Sequence, residues 1–224
     1  MGIFTKAPIV DDDPLAKRVL WALIILFFEL VIVAGLIPRS FTEKQITREL
    51  DMITKVMGKE EAILTQSRGK DWFTRYFVDT GAYDASFKFF IPTEAERRKS
   101  KGLEDFGKDN IFPFMEKVLI SVWTGALQAC IRIAHYMLWW PFFIMAAVPA
   151  ILDAILERKR KQASFEHASA IRYRYAINFF SLLIFLFTMS VFFPIAIPPL
   201  AVPVGFVLGA LCLSVIVANL QKKI

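Results

Sequence analysis

The chain has 224 residues, 56% of them hydrophobic, and a formal net charge of +6 at pH 7. A soluble domain of this length needs more polar surface than that composition supplies, and the mean hydropathy of +0.48 argues against a water-soluble globule. The apolar residues fall in runs with the charges between them, which is the pattern of an integral membrane protein.

Location has to be settled before the sign of the charge is interpreted, because basic residues beside membrane spans follow from topology alone. The expected fold class is all-α: about four transmembrane helices, with a small helical extracytoplasmic lobe between the first and second. A cytoplasmic tail, residues 1–18, contains the acidic run Asp11-Asp12-Asp13, read as solvated. The first apolar run, 19–37, is longer than a signal-peptide core and has no small-x-small cleavage site, so it reads as a retained signal anchor.

Glu29 lies in the middle of this span. An ionisable group at that depth is costly and is a candidate functional site. One reading is an ion or proton pathway; the other is a polar clamp between helices. A proton path needs more than one such group, which favours the clamp.

Residues 38–117 form a mixed-charge periplasmic segment. Ile46, Leu50, Ile53, Val56 and Met57 recur at helical spacing and predict a helix over 43–57, ended by Gly58. A short helix is predicted over 59–67. Asp71 is a candidate N-cap for a helix over 72–80, ended by Gly81. The stretch 94–110 is highly charged and reads as solvated. The lobe has little apolar surface of its own, so it is expected to lean on the outer part of the second span or on another subunit.

The second run, 118–156, exceeds the roughly 30 Å hydrocarbon core by several turns and contains no turn signal. One long helix is expected, with its membrane portion over about 133–156 and kinks at Pro141 and Pro149. Arg132 and His135 lie near its outer end, and a contact of either with Glu29 is possible if the spans are neighbours. Asp153 lies near the inner end. The aromatic stripe Trp139, Trp140, Phe142 and Phe143 reads as lipid or subunit packing. Cys130 and Cys212 read as small apolar packing residues.

The basic loop, 157–175, carries Arg158, Lys159, Arg160, Lys161, Arg172 and Arg174. Cations at a helix C-terminus are favoured by the helix dipole and by anionic lipid, so an interface anchor is the plain reading of 158–161. The sharper reading is a docking surface for a cytoplasmic partner or DNA-handling machinery. Tyr173 and Tyr175 beside these cations are compatible with direct nucleic-acid contact, a weak signal.

Spans 176–197 and 198–220 follow, joined by a proline-rich turn at Pro194, Pro198 and Pro199, and a short tail, 221–224, ends the chain. Gly205 and Gly209 give the last helix a small face for close packing. With four spans, the Lys and Arg of both tails and of the basic loop fall on one side, which the positive-inside rule makes cytoplasmic. The expected location is the bacterial inner membrane, multi-pass, with both termini cytoplasmic. No nucleophile triad, phosphate loop or metal-ligand spacing occurs, so no enzyme and no cofactor are expected.

The stretch Pro149 to Ala176 contains Pro149, Asp153, Arg158, Phe165, Ser169 and Tyr173 in a proline, Asp, basic run, Phe, Ser order. It resembles the TraJ-like inner-membrane protein family of conjugative plasmids and integrating conjugative elements, neighbours of the type IV coupling protein. Where that family has Gly after the Asp, this chain has Ala154. The resemblance implies a non-catalytic membrane subunit of conjugative type IV secretion. Its partner would be the coupling-protein ATPase, met by lateral helix packing, with 158–161, Phe165, Arg172 and Tyr173 as candidate partner-docking or lipid-anchoring residues. A small channel or transporter subunit using Glu29 is the alternative, and self-association into a ring is a third possibility.

Overall fold

The computed structural model describes residues 14–91, 111–164 and 169–220, and no strand occurs among them. The helices in chain order are α1 (Pro14–Leu36), α2 (Arg39–Met57), α3 (Lys59–Phe73), α4 (Ala82–Phe90), α5 (Ile111–Leu138), α6 (Trp140–Ala163), α7 (Ala170–Phe192) and α8 (Ala201–Ala218). A π-helical turn, Thr74–Val78, follows α3 directly. The all-α membrane architecture expected from the sequence is the one observed. Helices α5 to α8 are each long and apolar enough to cross a membrane, and α1 carries a shorter apolar stretch, Val19–Glu29.

The 118–156 run is not one helix. It breaks at Trp139, where the amide bonds back only three residues, to the Tyr136 carbonyl. Pro141, two residues on, has no N–H to bond the Met137 carbonyl, so the regular ladder cannot pass this point. Helix α6 runs through Pro149 without interruption.

Helices α6 and α8 make the most extensive helix–helix contact in the molecule. The buried residues of α6 are Ala147 and Ala154, two turns apart on one face, and Ala154 is fully buried. Opposite them α8 buries Val202, Pro203, Gly209, Ala210, Cys212 and Ala218. Small residues let the two backbones approach, which is how helices pack where lipid removes the hydrophobic driving force between them. Position 154 therefore requires a small side chain, and Ala154 supplies it. Both cysteines are free and buried, as packing residues should be.

Helices α2, α3 and α4 pack on α5. Gly58 and Gly81 take positive φ of 99° and 75°, turning the chain between helices where other residues would be strained. Gly58 ends α2 as its spacing predicts, but α3 runs on to Phe73, so Asp71 lies inside it and caps nothing. Gly81 instead precedes α4. The predicted solvated stretch 94–110 lies outside the described residues.

Gly69 sets the distance between α3 and α5. A Cβ at this position would lie 2.6 Å from the Ile131 Cα, a backbone atom that cannot yield as a side chain does. Gly69→Ala is therefore expected to destabilise the protein by about 1–3 kcal/mol, despite the better helix propensity of Ala. Thermal unfolding in detergent checks this. An unchanged or raised midpoint would show that the two helices can separate freely.

Candidate functional site

Near the end of α5, one cation joins three parts of the chain. Arg132 is fully buried. Its Nε donates to the Glu49 carboxylate of α2, at 3.2 Å to Oε1 and 3.0 Å to Oε2. Its terminal nitrogens donate to the end of α7 and the segment beyond: to the Ser190 carbonyl at 2.7 Å, to the Phe193 carbonyl, and to the Ile195 carbonyl at 2.6 Å.

The local sequence creates the need for this arrangement. The last carbonyls of a helix have no intrahelical partner, and the residues that follow normally supply donors. Here Pro194, Pro198 and Pro199 have no N–H. The planar guanidinium, with five donors and a permanent charge, fills that role and also meets the negative end of the α7 dipole. Gln45, one turn before Glu49 on α2, accepts from the Ala196 amide at 3.3 Å and ties the same segment to the lobe. The Tyr136 hydroxyl and Ser190 Oγ lie 2.7 Å apart and brace α5 against α7. Burial raises the Glu49 carboxyl above its ordinary value, and the Arg132 guanidinium beside it opposes that rise.

His135, one turn on from Arg132, is buried beside the Pro199 backbone. The sequence suggested Glu29 as a partner for Arg132 or His135. Helices α1 and α5 are indeed neighbours, and Arg132 lies within electrostatic reach of Glu29. The Glu29 oxygens nevertheless make no hydrogen bond among the described residues, and Arg132 pairs with Glu49 instead.

An aromatic cluster continues inward from this clamp. Tyr136 meets Phe187 edge-on with ring centroids 5.7 Å apart, Phe187 stacks on Phe206 at 5.4 Å, and Phe206 meets Phe143 at 5.2 Å. Gly205 makes room for Phe187, whose ring would lie 2.5 Å from an added Cβ, whereas a Cβ at Gly209 would make ordinary contact with Phe180 at 3.8 Å. On the other side of the clamp, Trp123 packs against Phe73, Phe77 and Tyr83 and donates to Ser86 Oγ at 3.0 Å.

The basic residues lie at the far end of the helices. Arg158 to Lys161 form the last turns of α6; Lys159 and Arg160 are exposed, and Lys161 Nζ pairs with Glu157 at 2.6 Å. The Arg158 Nε is enclosed with no hydrogen-bond partner among the described residues. Arg172 and Tyr173 lie in the first turn of α7, and Arg172 reaches the Glu157 carboxylate electrostatically, so the structure gathers both parts of the predicted basic loop. Ser169 caps α7, accepting from the Arg172 amide at 3.3 Å. The Ser169 amide in turn donates to the buried Asn219 side chain at the end of α8, also at 3.3 Å. Asp153 is exposed on α6, and Phe165 lies outside the described residues.

Sequence reasoning missed Glu49, Gln45, Gly69 and Asn219. Glu49 and Gln45 share a face with Thr42 and Ile53, and all four are buried. That polar stripe at helical spacing was the one available signal, and it meant little without a partner in view.

Substituting Arg132 is expected to have the largest effect of any single change here. Arg132→Ala leaves Glu49 buried and unpaired and several carbonyls uncapped, a loss of about 3–5 kcal/mol. Arg132→Lys should recover little, since a point charge cannot serve divergent acceptors. Glu49→Gln should cost less than Arg132→Ala, because the amide oxygen still accepts from Nε. Melting midpoints of the three variants test this order, and equal midpoints for Arg132→Ala and wild type would refute it.

A family model described as "IncC plasmid conjugative DNA transfer protein DtrJ-like" matches residues 39–223, a stretch that includes both the Arg132 clamp and the basic cluster. No curated protein and no solved structure matches the chain.

Proposed function

Because the chain belongs to the DtrJ-like family of conjugative DNA transfer proteins, and so acts in conjugation as a membrane protein, we propose that it serves there as a non-catalytic subunit that binds or scaffolds the coupling-protein ATPase of type IV secretion. The resemblance drawn from the Pro149 to Ala176 segment points the same way. The observation that carries the reading is the uncovered apolar surface. Only 11% of the apolar window of α6 and 6% of that of α7 are buried within the protein, against 50% for α5. Faces this open meet lipid or the helices of another chain.

The same contrast supports a topology. Helix α5, half covered by α2 and α3, serves as the core of the lobe. Helices α1, α6, α7 and α8 cross the inner membrane, with the basic cluster and both termini in the cytoplasm, as the positive-inside rule asks. The cluster of Lys159, Arg160 and Arg172 then faces the ATPase, anionic headgroups or DNA.

Neutralising Arg158 to Lys161 together is expected to lower conjugation frequency at least tenfold while the protein still inserts, two to four near-surface charges being worth roughly 1 kcal/mol each. Mating assays with immunoblots of the membrane fraction measure both. Unchanged transfer at normal protein levels would remove this cluster from the mechanism. Pull-down of the coupling protein from gently solubilised membranes tests the partner itself.

A channel or transporter subunit is the second reading, and the unbonded Glu29 carboxyl is what favours it. Glu29→Gln separates the two: it should leave transfer and partner capture intact in a scaffold and abolish flux in a channel.

A further inference from the structure

Where α1 ends and α2 begins, the chain forms a groove against the first turns of α5. Gly35, Leu36, Phe114 and Val118 contribute to its walls, Arg39 and Lys117 are among its lining residues, and its volume is about 410 Å³, within the range of ligand-binding clefts. Leu36 is 77% exposed, so the groove is continuous with the open apolar surface of α1. A Cβ added at Gly35 would meet nothing within 4 Å, so the space beside this residue is empty of protein.

An apolar concavity next to lipid fills with hydrocarbon, because an unfilled one forfeits dispersion contacts along its whole wall. The charged residues narrow the choice of occupant. Arg39 Nε is held by Glu43 at 2.7 Å, which steadies the guanidinium, and Lys117 is exposed. Arg39, Lys117 and Glu43 together carry one net positive charge, the complement of one phosphodiester. We propose that this groove binds a membrane glycerophospholipid, with one acyl chain along Gly35, Leu36, Phe114 and Val118 and the phosphate between Arg39 and Lys117.

The test uses the full chain purified in a mild maltoside detergent, with phosphatidylglycerol added and retained lipid read by native mass spectrometry. Wild type should keep one lipid per chain. The double variant Arg39→Ala/Lys117→Ala should retain it on the order of tenfold more weakly, from the loss of two near-surface cations. Gly35→Leu should lose it as well, with both cations still present, because the new side chain grows from a Cβ that meets no protein atom into the space of the acyl path. Millimolar inorganic phosphate should not displace the lipid. Equal retention in wild type and both variants, or displacement by inorganic phosphate alone, would overturn the proposal; the second result would mean a bare anion site.

Discussion

The Arg132 guanidinium holds the lobe, the long central helix and the α7–α8 link in one arrangement. Burying a permanent charge is expensive, and the cost is met only because each of the three nitrogens of the fork finds an acceptor: the Glu49 carboxylate on one side and the carbonyls of Ser190, Phe193 and Ile195 on the other. Those acceptors in turn depend on the arginine. The prolines that turn the chain between α7 and α8 supply no N–H, so the end of α7 would otherwise stand uncapped at low dielectric. The turn and the buried charge satisfy each other, and the lobe is drawn in as the source of the counter-charge.

Packing on the two sides of this clamp obeys different rules. Away from the lobe, α6 and α8 approach through alanine, glycine and cysteine, with phenylalanines filling the wider spaces at Gly205. Toward the lobe, α3 meets α5 at Gly69, and Trp123 organises an aromatic core with α4 and the π-helical turn. The lobe is thus completed by one face of a helix whose composition alone would suit a membrane span. Through α5 the lobe is packed directly onto the long apolar helices.

The open surface follows from the same construction. The contact of α6 with α8 uses small faces, and many large aliphatic and aromatic side chains of α1, α6 and α7 are left exposed. Lipid alone can cover such faces, and so can the spans of another subunit.

Composition and the spacing of apolar runs determined a great deal by themselves. Hydrocarbon thickness and backbone hydrogen bonding admit few structures for such runs, so the all-α membrane class and the proline turn between the last two helices were legible without coordinates, while the conjugative-transfer family was legible only through the resemblance of the Pro149 to Ala176 segment. The tertiary structure decided what periodicity cannot carry. Of the stripe Ile46, Leu50, Ile53, Val56 and Met57 that predicted helix α2, only Ile53 is buried, and it is joined on the buried face by Thr42, Gln45 and Glu49. Polar groups turn inward there because the Arg132 guanidinium and the Ala196 amide, both more than eighty positions away, require acceptors. The break at Trp139 and the pairing of Arg132 with Glu49 rather than Glu29 belong to the same class. A helix pattern reports which residues avoid water, whereas the partner of a buried charge is set by which distant segment arrives beside it.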